Sequence, residues 1–111
     1  MNTRDKILEA APSGPAILVV GTFDPLLAAH SERLQQLAKS GVKLAVAVAD
    51  LPNALLPLQA RREMVAALRV VDFVVPFDSV TVYAWITVYD DIELHDRWAI
   101  EFNEHVRRRN Q

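Results

Sequence analysis

Residues 16–30 read AILVVGTFDPLLAAH, and the prediction of the fold starts from them. Their first five residues are continuously apolar, which is typical of a central parallel strand covered on both faces. Gly21 and a polar turn follow, and helical spacing of the apolar residues begins at Pro25. The pattern predicts a strand over residues 16–20 and a helix over Pro25–Ser40, which together begin a βαβ unit.

The same alternation of short apolar runs with longer amphipathic segments continues along the chain. It predicts further strands over Lys43–Ala49, Phe73–Val75 and Ile86–Tyr89, and further helices over residues 3–11, 57–68 and 90–106. Gly41 is expected to close the first long helix in the left-handed conformation. Val80–Tyr89 has strand composition throughout, although a parallel topology favours a helix before the next strand. We expect one α/β domain over residues 1–111, a Rossmann-like parallel sheet with helices on both faces.

Composition excludes several classes of protein. Among the 111 residues, 12 Lys and Arg stand against 14 Asp and Glu, so the net charge of −2 gives no general attraction to nucleic acid. The absence of cysteine excludes a disulfide framework, a thiolate nucleophile and a cysteine-ligated zinc site. No apolar run approaches the roughly 18 residues that span a bilayer. We therefore expect a cytoplasmic protein with neither a nucleic acid nor a membrane as partner.

The turn after the first strand carries the residues that suggest chemistry. In an open parallel sheet, such a turn directs backbone N–H groups and a helix N-terminus into a crevice where phosphate binds favourably. Gly21 would allow close approach, Asp24 would cap the helix or help hold a divalent ion, and His30 would donate a hydrogen bond to phosphate. The alternative is structural, because Asp-Pro commonly starts a helix and a lone histidine on an apolar stripe commonly packs inside.

Two motifs connect this chain with a known family. Four residues of the turn fit the pattern G-x-F-D-x-x-H-x-G-H at the correct spacing: Gly21, Phe23, Asp24 and His30. Residues 56–78, LPLQARREMVAALRVVDFVVPFD, fit a helix and strand that carry an R-Y-V-D-like sequence, here residues 69–72. In these motifs the chain resembles the cytidylyltransferase-like nucleotidyltransferases, such as the nucleotidyltransferase domain of ADP-heptose synthase and glycerol-3-phosphate cytidylyltransferase.

The resemblance implies an activity and a set of residues that perform it. The reaction would transfer a nucleotidyl group from CTP or ATP to a small sugar or polyol phosphate, with release of pyrophosphate and with Mg²⁺ as cofactor. His30 would be the catalytic residue. The nucleotide would be bound by Gly21, Thr22, Phe23, Asp24, Asp50, Arg61 and Arg69. Because members of the family often pair, the resemblance also implies a homodimer.

Departures from the family pattern support a second hypothesis. Leu27 replaces the first histidine of the motif and cannot donate a hydrogen bond from its side chain, and Ala29 replaces the glycine. The loop at residues 50–56 lacks the family's basic residue, and the C-terminal part is shortened relative to the family. The alternative is therefore a catalytically impaired pseudoenzyme that keeps the fold as a nucleotide-binding or dimerisation module.

Other polar and aromatic residues have simpler explanations. His95 and His105 lie ten residues apart on the last predicted helix, a spacing that does not suit a shared metal, so we expect both on the surface. Three arginines could replace the positive charge that is missing from the loop at residues 50–56. Their simpler explanation is a place on solvated helix faces: Arg61, Arg69 and Arg97. The large aromatic residues are assigned to the core or to a subunit contact: Trp85, Trp98 and Phe102.

Overall fold

The computed structural model describes residues 3–9, 14–38, 41–77 and 86–109 of the chain. Its strands are β1 (Ala16–Gly21), β2 (Lys43–Val48), β3 (Phe73–Val75) and β4 (Ile86–Asp90). Its α-helices are α1 (Ala28–Ala38), α2 (Leu58–Ala66) and α3 (Ile92–Arg109). The strands form one parallel sheet in the order β3-β2-β1-β4. The predicted Rossmann-like α/β fold is confirmed.

The core lies on both faces of the two central strands. On one face, α1 and α2 cover β1 and β2, and Val19, Val46 and Val65 are completely buried. On the other face, Leu18 and Ala47 belong to a second apolar cluster, against which the start of α3 packs. Burial on both faces explains why these strands are continuously apolar in sequence. Among the described residues, no helix is long and apolar enough to cross a membrane.

The strand order fixes where a site can form. From β1, the next two strands β2 and β3 are added on one side of the sheet, whereas β4 pairs with the other side of β1. Parallel α/β sheets bind ligands in the crevice at such a switch point, beyond the carboxyl ends of the strands. Here that crevice lies between the end of β1 at Gly21 and the end of β4 at Asp90.

Several predicted boundaries need correction. The helix predicted from Pro25 begins at Ala28, because Asp24 is held by amides of another loop instead of capping α1. The helix predicted over residues 3–11 is wrong. Residues Thr3–Lys6 form a 3-10 turn, and the Leu8 N–H then bonds to the Val74 carbonyl at 2.8 Å, beside the free edge of β3. The unassigned segment before β4, including Trp85, lies outside the described residues.

Two helix ends follow from local chemistry. Gly41 has φ of 77°, and its N–H bonds to the carbonyl of Ala38, which confirms the predicted left-handed closure of α1. At the start of α3, a carboxylate oxygen of Asp90 accepts the N–H of Ile92 at 3.1 Å. This bond satisfies one of the amides that a helix leaves free in its first turn.

Asp72 joins the segment before β3 to the start of β2. Its carboxylate accepts the Leu44 N–H at 2.9 Å, and its own N–H donates to the Leu44 carbonyl at 2.9 Å. We expect Asp72→Ala to lower the free energy of unfolding by about 1–2 kcal/mol, because a part-buried amide loses its acceptor. Urea denaturation measures this change.

Lys43→Ala is the matched control for the Asp72 prediction. The Lys43 ammonium lies 3.8 Å from the Asp72 carboxylate, and its side chain is 67% exposed. Such an exposed pair contributes little, so we expect a change below about 0.5 kcal/mol. Equal losses in the two variants would show that Asp72 acts through its charge and not through the backbone amide.

Candidate functional site

The turn between β1 and α1 is buried under the first turns of α3. Gly21, Thr22 and Phe23 all belong to the buried part of the molecule. Phe23 adopts a φ of 49°, in the left-handed region, which costs a residue with a side chain about 1–2 kcal/mol. This conformation places the Phe23 ring 5.3 Å from that of His30 and 4.5 Å from that of His95. Aromatic packing therefore shapes the turn that was predicted to receive phosphate.

His30 caps the helix on which it lies. Its Nδ1 accepts the N–H of Leu27, the residue just before α1, at 2.8 Å. This is the reciprocal bond that a Glu or Gln makes at the third helical position in a capping box. The side chain is only 2% exposed, and its Nε2 has no hydrogen-bond partner among the described residues. These contacts agree with the structural alternative, in which His30 is a histidine that packs inside the protein.

His95 comes from α3 and closes the turn from the other side. Its Nδ1 accepts the buried N–H of Thr22 at 3.1 Å. A Cβ at Gly21 would overlap the His95 imidazole, so the close approach that this glycine permits is made by a side chain of the protein itself. The prediction that His95 is a surface residue is wrong, because its side chain is 2% exposed.

The two imidazoles form a single aromatic cluster with Trp98. The centroids of His30 and His95 are 4.3 Å apart, and Trp98 lies 5.0 Å from His30 and 5.4 Å from His95. Because Nδ1 of each histidine accepts an amide hydrogen, each neutral ring carries its proton on Nε2. We call these three side chains, together with Phe23, the turn cluster. The assignment of Trp98 to internal packing agrees with these contacts, whereas Phe102 is exposed.

Both histidines are held in the neutral form. Burial lowers the pKa of His30 to about 4, against an opposing influence of Asp91. Burial also lowers the pKa of His95 to about 3, and the neighbouring His30 and Arg33 contribute in the same direction. An imidazolium that would pair with phosphate is therefore disfavoured at neutral pH.

A part-buried ion pair fixes α3 in this position. Arg33 of α1 donates from Nε and Nη2 to the two oxygens of Asp91, at 3.1 and 3.3 Å. The N–H of Asp91 also bonds to the carbonyl of Val20 at the end of β1. The Arg33 guanidinium lies 5.5 Å from the centre of the Tyr89 ring. The N-terminus of α3 is thus tied to β1, β4 and α1 at the point where it covers the turn.

Asp24 connects the turn with the loop after β2. Its two carboxylate oxygens accept the N–H groups of Leu55 and Leu56, at 2.7 and 3.0 Å. A carboxylate in this role stabilises a loop. No group of three metal-ligating side chains occurs within residues 3–9, 14–38, 41–77 and 86–109. Both oxygens of Asp24, the residue that was expected to cap the helix or help hold a divalent ion, thus accept backbone N–H groups.

Arg61 is buried in the same region, and its assignment to a solvated helix face is wrong. It is 1% exposed, and Nη1 donates to the carbonyls of Thr22 at 2.9 Å and Ala49 at 2.7 Å. Its Nε donates to the Leu56 carbonyl at 3.1 Å. The guanidinium thus joins the carboxyl ends of β1 and β2, and these donors face carbonyls and not the crevice.

The remaining predicted site residues lie apart from the turn cluster. Asp50 is exposed just beyond β2, and one of its oxygens is 3.8 Å from Nη2 of Arg61. Arg69 is exposed on the segment that returns from α2 to β3. That segment lies at the amino edge of the sheet, as the contact of Asp72 with the start of β2 shows. The structure therefore does not bring Arg69 to the turn.

Sequence reasoning missed three residues that govern the turn: Arg33, Asp91 and His95. Their signal was positional, because Asp91 directly follows the last strand at the switch point and His95 lies one helical turn further. A glycine at the end of a buried strand also indicates that something approaches its backbone closely. The sequence did not reveal whether that neighbour is a ligand or a side chain.

The buried histidines predict a stability that depends on pH. The unfolded chain protonates both near pH 6.5, whereas the folded chain does so only near 4 and 3. Stability from the neutral rings is therefore complete above about pH 6.5 and is lost as the pH falls toward 4. We expect the free energy of unfolding to fall by up to about 1.4 kcal/mol per pH unit for each histidine, measured by urea denaturation.

Two variants identify the source of that slope. His95→Gln should reduce the slope over this range, because one of the two titrating groups is removed. His105→Gln, on the exposed part of α3, should leave it unchanged. If the slopes of all three proteins coincide, the turn cluster is not the origin of the pH dependence.

Comparison with known proteins finds one family whose model covers most of the chain. A family model described as Cytidylyltransferase-like matches residues 18–106, from β1 into the last turns of α3. No curated protein matches the chain.

Proposed function

Because this chain belongs to the cytidylyltransferase-like family, we propose that it is a nucleotidyltransferase-like protein that has lost efficient catalysis. The observation that carries this proposal is the occupation of the turn by the protein's own side chains. The amides of Thr22 and Leu27, which phosphate oxygens would need, donate to His95 and His30. A bound triphosphate would have to displace two buried imidazoles.

The lost donors support the same conclusion. Nucleotidyl transfer proceeds without a covalent protein intermediate. Its rate therefore depends on positioned hydrogen-bond donors that stabilise the charge developing on phosphate. Leu27 offers no side-chain donor where the family motif has histidine. Loss of one such donor slows a reaction by about a hundredfold to a thousandfold. His30 retains the other motif position, but its Nε2 lies inside the turn cluster, away from solvent.

The loop after β2 supplies no replacement cation. Residues 50–58 contain no lysine or arginine, and Arg61 uses Nε and Nη1 to bind carbonyls. A triphosphate at the switch point would therefore meet little compensating positive charge. This argues against the transfer of a nucleotidyl group from CTP or ATP to a small sugar or polyol phosphate.

The direct test of this proposal is turnover. The protein should release no pyrophosphate above background from CTP or ATP, each with Mg²⁺, over a panel of sugar and polyol phosphates. Leu27→His combined with Ala29→Gly should also remain inactive, because His95 still covers Gly21 and the Thr22 amide. Pyrophosphate release by the unmodified chain that requires an acceptor would overturn the proposal.

Binding provides a second, independent prediction. Calorimetry with CTP or ATP and Mg²⁺ should give no saturable heat for the unmodified chain. His95→Ala should produce weak, saturable binding, because it frees the Thr22 N–H and opens space beside Gly21. His105→Ala on the same helix is the control and should behave as the unmodified chain. Tight nucleotide binding without any substitution would contradict the closed turn.

A further inference from the structure

The first half of α3 packs against the rest of the molecule, whereas its second half is exposed. His95 is buried, and Trp98 and Ala99 are half-buried. Every residue from Ile100 to Val106 is exposed. We call residues 100–106 the α3 extension. At a rise of 1.5 Å per residue, the extension continues the helix for about 10 Å past its packed part.

The α3 extension continues the stripe of residues with which the first half of the helix packs. His95 and Ala99 are followed by Phe102 and Val106, at intervals of four, three and four residues. These intervals place the four positions on one face of the helix, in the spacing of a coiled-coil seam. Phe102 is 37% exposed and Val106 is 39% exposed. The seam therefore changes from a packed surface into an exposed apolar face.

A helix end of this kind is stabilised when its apolar face is covered. Isolated helical segments of a few turns are marginal in water, because most helical stability in proteins comes from the packing of an apolar face. The α3 extension contains such a face, formed by Phe102 and Val106, and this face is open to solvent. A partner that covers these two side chains would stabilise the helix and remove apolar surface from water.

The position of the domain determines which partner fits. The first half of the seam is occupied by the turn of the same chain, through His95 and Trp98. A partner helix can therefore lie only beside the α3 extension. A second copy of α3 fits there in the antiparallel orientation, because its own domain then lies beyond the far end of the pair. In a parallel pair the two domains would occupy the same space, since each lies on the seam side of its helix.

The charges of α3 favour the same arrangement. Asn103 and His105 border the seam, so neither a carboxylate nor a lysine or arginine opposes close approach there. Positions 93–104 of the sequence contain four acidic residues and one arginine, whereas positions 107–109 are all arginine. An antiparallel pair places the acidic part of each helix beside the basic end of the other. A parallel pair would place like charges together. A second copy thus matches the α3 extension in charge as well as in shape.

We propose that the α3 extension is the contact of a homodimer, in which two copies pair antiparallel about a twofold axis and Phe102 of each lies against Val106 of the other. The contact covers about two helical turns on each copy, less than a standard interface, so we expect a dissociation constant on the order of 100 μM. The surface lies outside the motifs that carry the family resemblance. The inference does not depend on whether the turn at β1 binds nucleotide.

Sedimentation equilibrium of the full chain tests the association. Measured from about tenfold below to about tenfold above the expected dissociation constant, the apparent mass should rise from that of one chain toward that of two. A mass that stays at one chain over the whole range would overturn the proposal. The apolar face would then be left to an occupant other than a second copy.

Two substitutions on the α3 extension test whether the seam forms the contact. Phe102→Ser should raise the dissociation constant at least about tenfold, because the twofold axis removes the ring from both halves of the interface. Ile100→Ser is the matched control and should leave it unchanged. Ile100 is more exposed, at 59%, but lies about 160° around the helix from Phe102. Equal affinities of Phe102→Ser and the unmodified chain, or equal losses in both variants, would contradict the proposed contact.

The orientation of the pair can be measured because the chain contains no cysteine. A nitroxide attached to Arg97→Cys, an exposed position away from the seam, is mixed with ¹⁵N-labelled unmodified chain. In an antiparallel pair, the nitroxide should broaden the amide signals of residues 104–109 of the labelled copy. Broadening centred on Trp98 would show a parallel pair and overturn the proposal, and so would the absence of any broadening between copies at concentrations where the dimer forms.

Discussion

Two hydrogen bonds from backbone amides to imidazole nitrogens determine the structure of the turn between β1 and α1. Thr22 donates to His95 and Leu27 donates to His30, and both bonds lie at the switch point of the sheet. They require α3 to lie across the end of β1, a glycine at position 21 and neutral histidines in an aromatic cluster. The ion pair between α1 and the residue preceding α3 secures this arrangement.

A turn whose free N–H groups can bind phosphate can also bind a neutral imidazole. A strand-to-helix turn offers several N–H groups without intrahelical acceptors, and either a phosphate oxygen or a neutral Nδ1 satisfies them. Each bond contributes only about 1 kcal/mol net, so the accompanying burial of aromatic rings matters as much as the bonds themselves. The proposed loss of activity with retention of the fold is therefore physically simple, since function resides in the site and not in the sheet.

The sheet was predictable from the sequence, whereas the turn was not. Continuous apolar runs mark β1 and β2 because both faces are covered, a local property that composition reports directly. The burial of His95 and Arg61 depends on contacts between distant elements, and neither is visible in the periodicity of a single helix. The start of α1 was placed too early because the partner of Asp24 lies more than thirty residues away, in the loop after β2. Long-range polar contacts thus account for most of the errors.

The amides of the turn are already satisfied by the protein's own histidines, and amide hydrogen exchange tests this directly. The Thr22 and Leu27 N–H groups should exchange slowly, with opening free energies close to those of β1, and CTP or ATP with Mg²⁺ should not change them. Rapid exchange of both amides in the free chain that slows markedly when nucleotide is added would contradict the account.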